Sequence, residues 1–231
     1  MSIYFLHKHY EPNPEVKEEA FNKFPFEKVR DRVCFIFQKY QEQPCLLDTL
    51  LESLIQPIMD AVKKYLSLLL KENYEKPATE ELHSLLQIIY QLAKVREEKW
   101  VIQYFPHEVK DLYPAIGYLV KERTDQNSNW ETRYVILLWL GVIALVPFNL
   151  DIIDSGVVTM PKEDGSIATE IVELMIEIGK HYLRSLTKMR EASALFLGKL
   201  FTRPDIQKRN LLPLYVNEVL KKLFEVKDNP M

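Results

Sequence analysis

Apolar residues recur along most of this chain at the spacing of a helix face. Leu47, Leu50, Leu51, Leu54, Ile55, Ile58, Val62, Tyr65, Leu66 and Leu69 fall one, three or four positions apart and draw a stripe at a period of 3.6. Pro57 interrupts the stripe, and proline suits a first helical turn but breaks the bonding of a helix interior. The spacing therefore predicts two short antiparallel helices over 46–55 and 57–72. Similar patterns predict helices over 79–94, 109–122, 130–145, 167–184, 186–201 and 210–226. Ser128 and Glu131 stand three apart as a capping box for the helix beginning near Trp130. Glu80 and Glu81 suit the positive end of a helix dipole after Thr79. Gly156–Met160 is the one strand-like stretch, and no alternating run with hairpin chemistry accompanies it.

The prolines refine the architecture. Pro25, Pro44, Pro57, Pro77, Pro106, Pro114, Pro147, Pro204 and Pro213 all fall at predicted helix boundaries. Short helices punctuated in this way suit an all-α array of stacked helix pairs, with a period of about 40 residues and roughly five pairs. A compact helical bundle fits the periodicity as well. Tyr134–Leu150 carries no charge, but its 17 residues fall short of the ~20 a membrane span needs. A buried central helix is expected there instead, followed by the longest non-helical stretch, 147–166.

Composition narrows the function. Of 231 residues, 47% are hydrophobic and 27% charged, an ordinary globular balance. The net charge of −3 lacks the basic excess of a nucleic-acid binder. Two cysteines, Cys34 and Cys45, cannot build a disulfide scaffold and suit a reducing compartment. The start lacks the basic and apolar regions of a secretory signal, so a cytoplasmic protein is expected. The six glycines lie nine or more residues apart, whereas a phosphate cradle needs several close together. No nucleotide or other cofactor is expected.

Catalytic candidates are sparse. His7 and His9 form an H-x-H without further ligands at metal spacing. Cys34 sits in an apolar run as a small hydrophobe, and no basic neighbour activates Cys45. His107-Glu108 follows Pro106 and reads as a helix cap more readily than as an acid–base pair, and no serine occupies a nucleophile elbow. A non-enzyme is expected. Charge, however, is segregated: Lys180–Arg209 holds eight cations against Glu191 and Asp205. Arg184, Lys188, Lys199, Arg203 and Arg209 are the candidate contacts for an acidic partner surface, a solvated helix face being the alternative. Arg203 and Asp205, flanking Pro204, have a second reading as a structural pair between repeats.

Tyr40-Gln41-Glu42-Gln43-Pro44, Leu46-Leu47-Asp48, Lys94-Val95-Arg96 and Phe105-Pro106-His107-Glu108-Val109 stand out as blocks. Trp130-Glu131-Thr132-Arg133-Tyr134, Leu137-Leu138-Trp139-Leu140, Pro147-Phe148 and Thr202-Arg203-Pro204-Asp205 follow them. In their order and spacing these blocks resemble the tubulin-folding cofactor D family. The resemblance covers about Tyr40 to Asp205, the N-terminal part of a longer family pattern. It implies an α-solenoid of stacked HEAT- or armadillo-like helix pairs, and one continuous solenoid over 26–231 behind an extension at 1–25 is expected. It also implies a cytoplasmic, cytoskeleton-associated chaperone that captures β-tubulin after the chaperonin. Tubulin-folding cofactors C and E and an Arf-like small GTPase are the implied partners, with GTPase activation belonging to the assembled cofactors. Trp130, Glu131, Arg133, Trp139, Phe148, Pro204 and Asp205 are expected to act through stability. Arg133 and Arg203, considered as arginine fingers, precede helical runs and read as structural. A general HEAT-repeat scaffold without tubulin contact is the competing function.

Overall fold

The computed structural model describes residues 26–69, 76–123, 129–148, 150, 158–162, 165–168 and 170–228. The extension at 1–25, with His7, His9 and Pro25, lies outside them, as does Ser128 of the capping box. Ten α-helices follow one another among the described residues: α1 (Phe26–Gln38), α2 (Leu51–Leu69), α3 (Lys76–Arg96), α4 (Glu98–Val101), α5 (Leu112–Glu122), α6 (Trp130–Ile143), α7 (Ile171–Leu183), α8 (Met189–Phe201), α9 (Pro204–Lys208) and α10 (Leu211–Asp228). Short 3-10 turns lead into α2 (Pro44–Leu50) and α5 (Val109–Asp111).

Three helix pairs, α2/α3, α5/α6 and α7/α8, stack side by side. Their first helices touch in the order α2, α5, α7, and their second helices in the order α3, α6, α8, so the array is a two-layered α-solenoid. Helix α1 lies on α3 at one end and α10 follows α9 at the other. The pairs begin at Leu51, Leu112 and Ile171, about 60 residues apart rather than 40. The extra length goes into the segments 97–111 and 144–170, which hold the 3-10 turns and a hairpin.

Helix α6 is central, touching α3, α5 and α8. Eleven of its residues are buried, which is why a stretch without charge serves here. Asn129 stands at its N-cap position with φ 62°, and no side chain caps the helix. Most of helix α3 between Leu82 and Val95 is buried as well. At the far end, α10 rests on the array through Leu211 and Tyr215, whose ring stacks on Phe201 at 5.3 Å.

The stripe through Pro57 is one helix. Leu51, Ile55, Ile58, Met59, Val62 and Leu66 are all buried along α2, and Pro57 sits inside it. The predicted break fails because of orientation. The carbonyl that Pro57 leaves without a helical partner belongs to the exposed Ser53, where water can satisfy it, while the buried stripe holds both halves in line. The second correction concerns 167–184. Met160–Pro161 and Ile167–Ala168 pair antiparallel, so α7 starts only at Ile171. Gly165 closes this hairpin with φ +82°, and its N–H donates to Lys162 O at 3.2 Å.

Candidate functional site

The blocks that look distinctive in the sequence meet in pairs. Arg96, ending α3, forms a two-point ion pair with Asp48 in the 3-10 turn before α2, with Nη2 2.9 Å from Oδ2. The guanidinium holds the Asp48 carboxyl below the usual carboxylate range, and it also covers the Trp100 ring at 4.5 Å. Trp139, 1% exposed in α6, donates its indole N–H to the carbonyl of Pro106. Arg133, 2% exposed, donates to Glu122 O at 3.1 Å and so holds the C-terminal end of α5.

Arg203 makes the third junction. Its Nη1 donates to the carbonyls of Ala144 (2.6 Å) and Val146 (2.9 Å), and Nη2 donates to Phe148 O. Nε (2.9 Å) and Nη2 (2.7 Å) also reach the Asp205 carboxylate, so all five guanidinium donors are engaged. The Phe148 ring lies 5.0 Å from the guanidinium. Pro204 opens α9, and Asp205 accepts the Ile206 N–H at 3.0 Å. Arg203 therefore ties the turn after α6 to the turn after α8. Neither Arg133 nor Arg203 is exposed to serve as an arginine finger, and Arg203 is not a contact on the solvent face.

The remaining basic positions do not form one strip. Arg184 and Lys188 are exposed between α7 and α8. Lys180 lies between Glu177 (3.0 Å) and Glu218 (2.7 Å), and Arg209 lies 3.4 Å from Glu170. Lys199 lays its stem against Gly141 of α6, and burial pushes its ammonium pKa down. The +6 of the sequence is thus divided between internal ion pairs and separate surfaces.

Glu108 is engaged in the same way. Lys110 and Lys63 flank it, the latter at 3.0 Å, and together they hold its carboxyl down at about 2. It is an ion-pair partner and not a base beside His107. Cys34 is half-buried, and burial pushes its thiol pKa up, while Cys45 is exposed. Among the described residues no group of His, Cys, Asp and Glu is placed to hold a metal ion, and no helix is long and apolar enough to cross a membrane.

One cluster joins residues that the sequence keeps apart. Tyr90 of α3 meets Trp130 edge-on at 4.9 Å and Tyr134 at 5.5 Å, both of α6. Burial raises the pKa of both tyrosines. Glu131 and Glu191 add to it at Tyr90, and Glu98 and Glu191 at Tyr134. Sequence reading reached Trp130 and Glu131 through their block but missed Tyr90, Glu98 and Glu191. These come from three other helices, and no local spacing links them.

Stacked helix pairs whose junctions are latched by buried arginine and tryptophan side chains define an armadillo-type solenoid, a class that works through extended protein-binding surfaces. The chain belongs to the family described as tubulin-specific chaperone D-like, ARM repeat, which matches residues 37–223. It is 28% identical over 194 residues to the tubulin-folding cofactor D of Schizosaccharomyces pombe, covering 83% of this chain and 15% of that protein. It is 24% identical to the tubulin-specific chaperone D of Dictyostelium discoideum, covering 76% of this chain and 17% of the other. The chain thus spans about one-sixth of the length of these relatives. No solved structure is a significant match.

Proposed function

We propose that this chain is a non-catalytic, protein-binding segment of a tubulin-folding cofactor D-like chaperone in the cytoplasm. Residues 26–231 act as one array, with 1–25 as an extension. The segment takes part in capturing β-tubulin during assembly of the αβ heterodimer, alongside cofactors C and E and an Arf-like small GTPase. GTPase activation belongs to the assembly and not to this chain.

The observation that carries this reading is the way the family blocks are used. Asp48 with Arg96, Pro106 with Trp139, and Phe148 with Arg203 hold successive elements together. The motif residues thus serve to set the relative positions of the helices, and recognition falls to the helix faces between them. Arg184 and Lys188 carry the contact with an acidic partner surface, and Lys199 lies further along α8.

The test is surface-immobilised chain titrated with αβ-tubulin and, separately, with cofactor E. Saturable binding of either supports the reading. Binding of neither, with the chain folded by circular dichroism, overturns it in favour of a scaffold for other clients. Phosphate release from GTP-loaded tubulin should be unchanged by the chain alone.

A further inference from the structure

Helix α10 is apolar on the side it turns to solvent. Leu211 and Tyr215 pack against the array, and Glu218 pairs with Lys180 of α7 at 2.7 Å. Leu212, Val216, Val219, Leu220 and Phe224 recur one, three or four positions apart on the side turned away, and each is 38–62% exposed. No charged residue interrupts this side between Leu212 and Phe224. Helix α2 shows what a solvent face of this chain otherwise holds, since its exposed positions include Glu52, Gln56, Asp60, Lys64 and Ser67. A solenoid whose last helix meets water is kept dispersed by a polar outer face, and α10 lacks one.

The other end of the array offers a matching recess. The end of α1 and the 3-10 turn before α2 flank an open groove of about 530 Å³, with Ile36, Tyr40 and Leu46 among its walls. Ile36 is 43% and Leu46 57% exposed, and Phe35 and Leu50 beside them are exposed as well. Glu42 lines the groove, while Lys221 flanks the α10 stripe one turn before Phe224. Both are exposed, and their charges are opposite. Helices α1 and α10 lie at opposite ends of the array, so one copy cannot bring the two surfaces together. Two copies can. Stacking within the chain is already of this kind, because each helix pair lies on the one before it.

We propose that α10 of one copy docks through its Leu212–Phe224 stripe into the Ile36–Leu46 groove of a second copy, so that chains stack head to tail. The contact is heterologous: each pair of copies keeps one free stripe and one free groove, and the stack grows without closing. Burial of apolar side chains drives it, as in a helix laid into a groove, and Lys221 against Glu42 adds a charge pairing at the rim. The proposal stands apart from the tubulin reading, and its test contains no tubulin.

Sedimentation velocity of the full chain from about 2 to 200 µM should show the average mass rising with concentration, as suits a small apolar contact. The rise should persist at about 0.5 M salt, because screening acts on charges and not on apolar burial. Val216→Glu with Leu220→Glu spoils the stripe, and Ile36→Glu with Leu46→Glu spoils the groove. All four positions are exposed, so circular dichroism should show unchanged helix. Each double variant alone should lose at least about tenfold in self-association. Mixed in equal amounts, the two should form a species of two chains and nothing larger, since each supplies the surface the other lacks. Misfolding cannot produce this rescue. A wild-type chain that stays monomeric throughout overturns the proposal. So does a groove variant that still dimerises, which would mean that α10 pairs with its own copy, and so does a mixture that stays monomeric.

Discussion

The indole N–H of Trp139 donates to the backbone carbonyl of Pro106, thirty-three residues earlier, at the centre of the molecule. This bond joins α6 to the segment between α4 and α5, so the ring fills the core while its one polar atom is satisfied. Trp139→Ala is expected to cost about 3–5 kcal/mol. Trp139→Phe keeps most of the packing but leaves the part-buried Pro106 carbonyl without this donor, at about 1 kcal/mol. Urea unfolding should rank wild type, Phe and Ala in that order of stability. A Trp139→Ala chain that unfolds at the wild-type midpoint would place this residue outside the core.

Arg203 cannot be replaced by another cation. Lysine has no planar fork, and it would leave carbonyls at Ala144, Val146 or Phe148 without donors. Arg203→Lys should therefore destabilise by about 2–4 kcal/mol, nearly as much as Arg203→Met. Equal stability of the lysine variant and wild type would show that charge alone matters.

The same junction predicts a dependence on pH. The Arg203 hydrogen bonds hold the Asp205 carboxyl below its ordinary value. Because the folded pKa lies below the unfolded one, the stabilisation is complete above about pH 4 and is lost as pH falls toward the folded value. The stability difference between wild type and Asp205→Asn should hence be constant from pH 5 to 7 and narrow in acid. A difference that grows on acidification would contradict this assignment.

Two glycines predict opposite effects of the same substitution. A methyl at Gly179 in α7 would fall 2.4–2.9 Å from side-chain carbons of Leu197, which is 3% exposed. Gly179→Ala should destabilise by about 1–3 kcal/mol. Gly198 in α8 has nothing within 4 Å of such a methyl. Gly198→Ala should stabilise by about 0.5–1 kcal/mol through helix propensity. Thermal melts of the two variants read both signs.

For the basic edge, Arg184→Glu with Lys188→Glu should slow association with an acidic partner while helical content stays the same. The effect should fade as salt shortens the screening length to about 8 Å at physiological ionic strength. Lys199→Glu should behave differently, since its half-buried stem covers Gly141 and the substitution costs stability as well. Stopped-flow association rates alongside melts distinguish these cases.

Helix type and approximate placement were legible in the chain because a 3.6-residue period is a local property, written in each segment. The uncharged stretch of α6 announced its own burial for the same reason. The blocks resembling the cofactor D family were also legible, and they carried the fold class with them. What only the tertiary structure decided was which distant segments meet. Pro57 stays inside one helix because the carbonyl it leaves without a donor belongs to the exposed Ser53. The repeat stretches to about 60 residues because the connections carry a hairpin and 3-10 turns. Lys180, Arg203 and Arg209 are engaged by Glu177, Glu218, Asp205 and Glu170. Counting charges along the chain merged them with the exposed Arg184 and Lys188. Tyr90, Glu98, Trp130 and Glu191 come together only when helices of successive pairs stack. Periodicity fixes which face of a helix is buried, whereas partners across an interface follow from how whole helices pack.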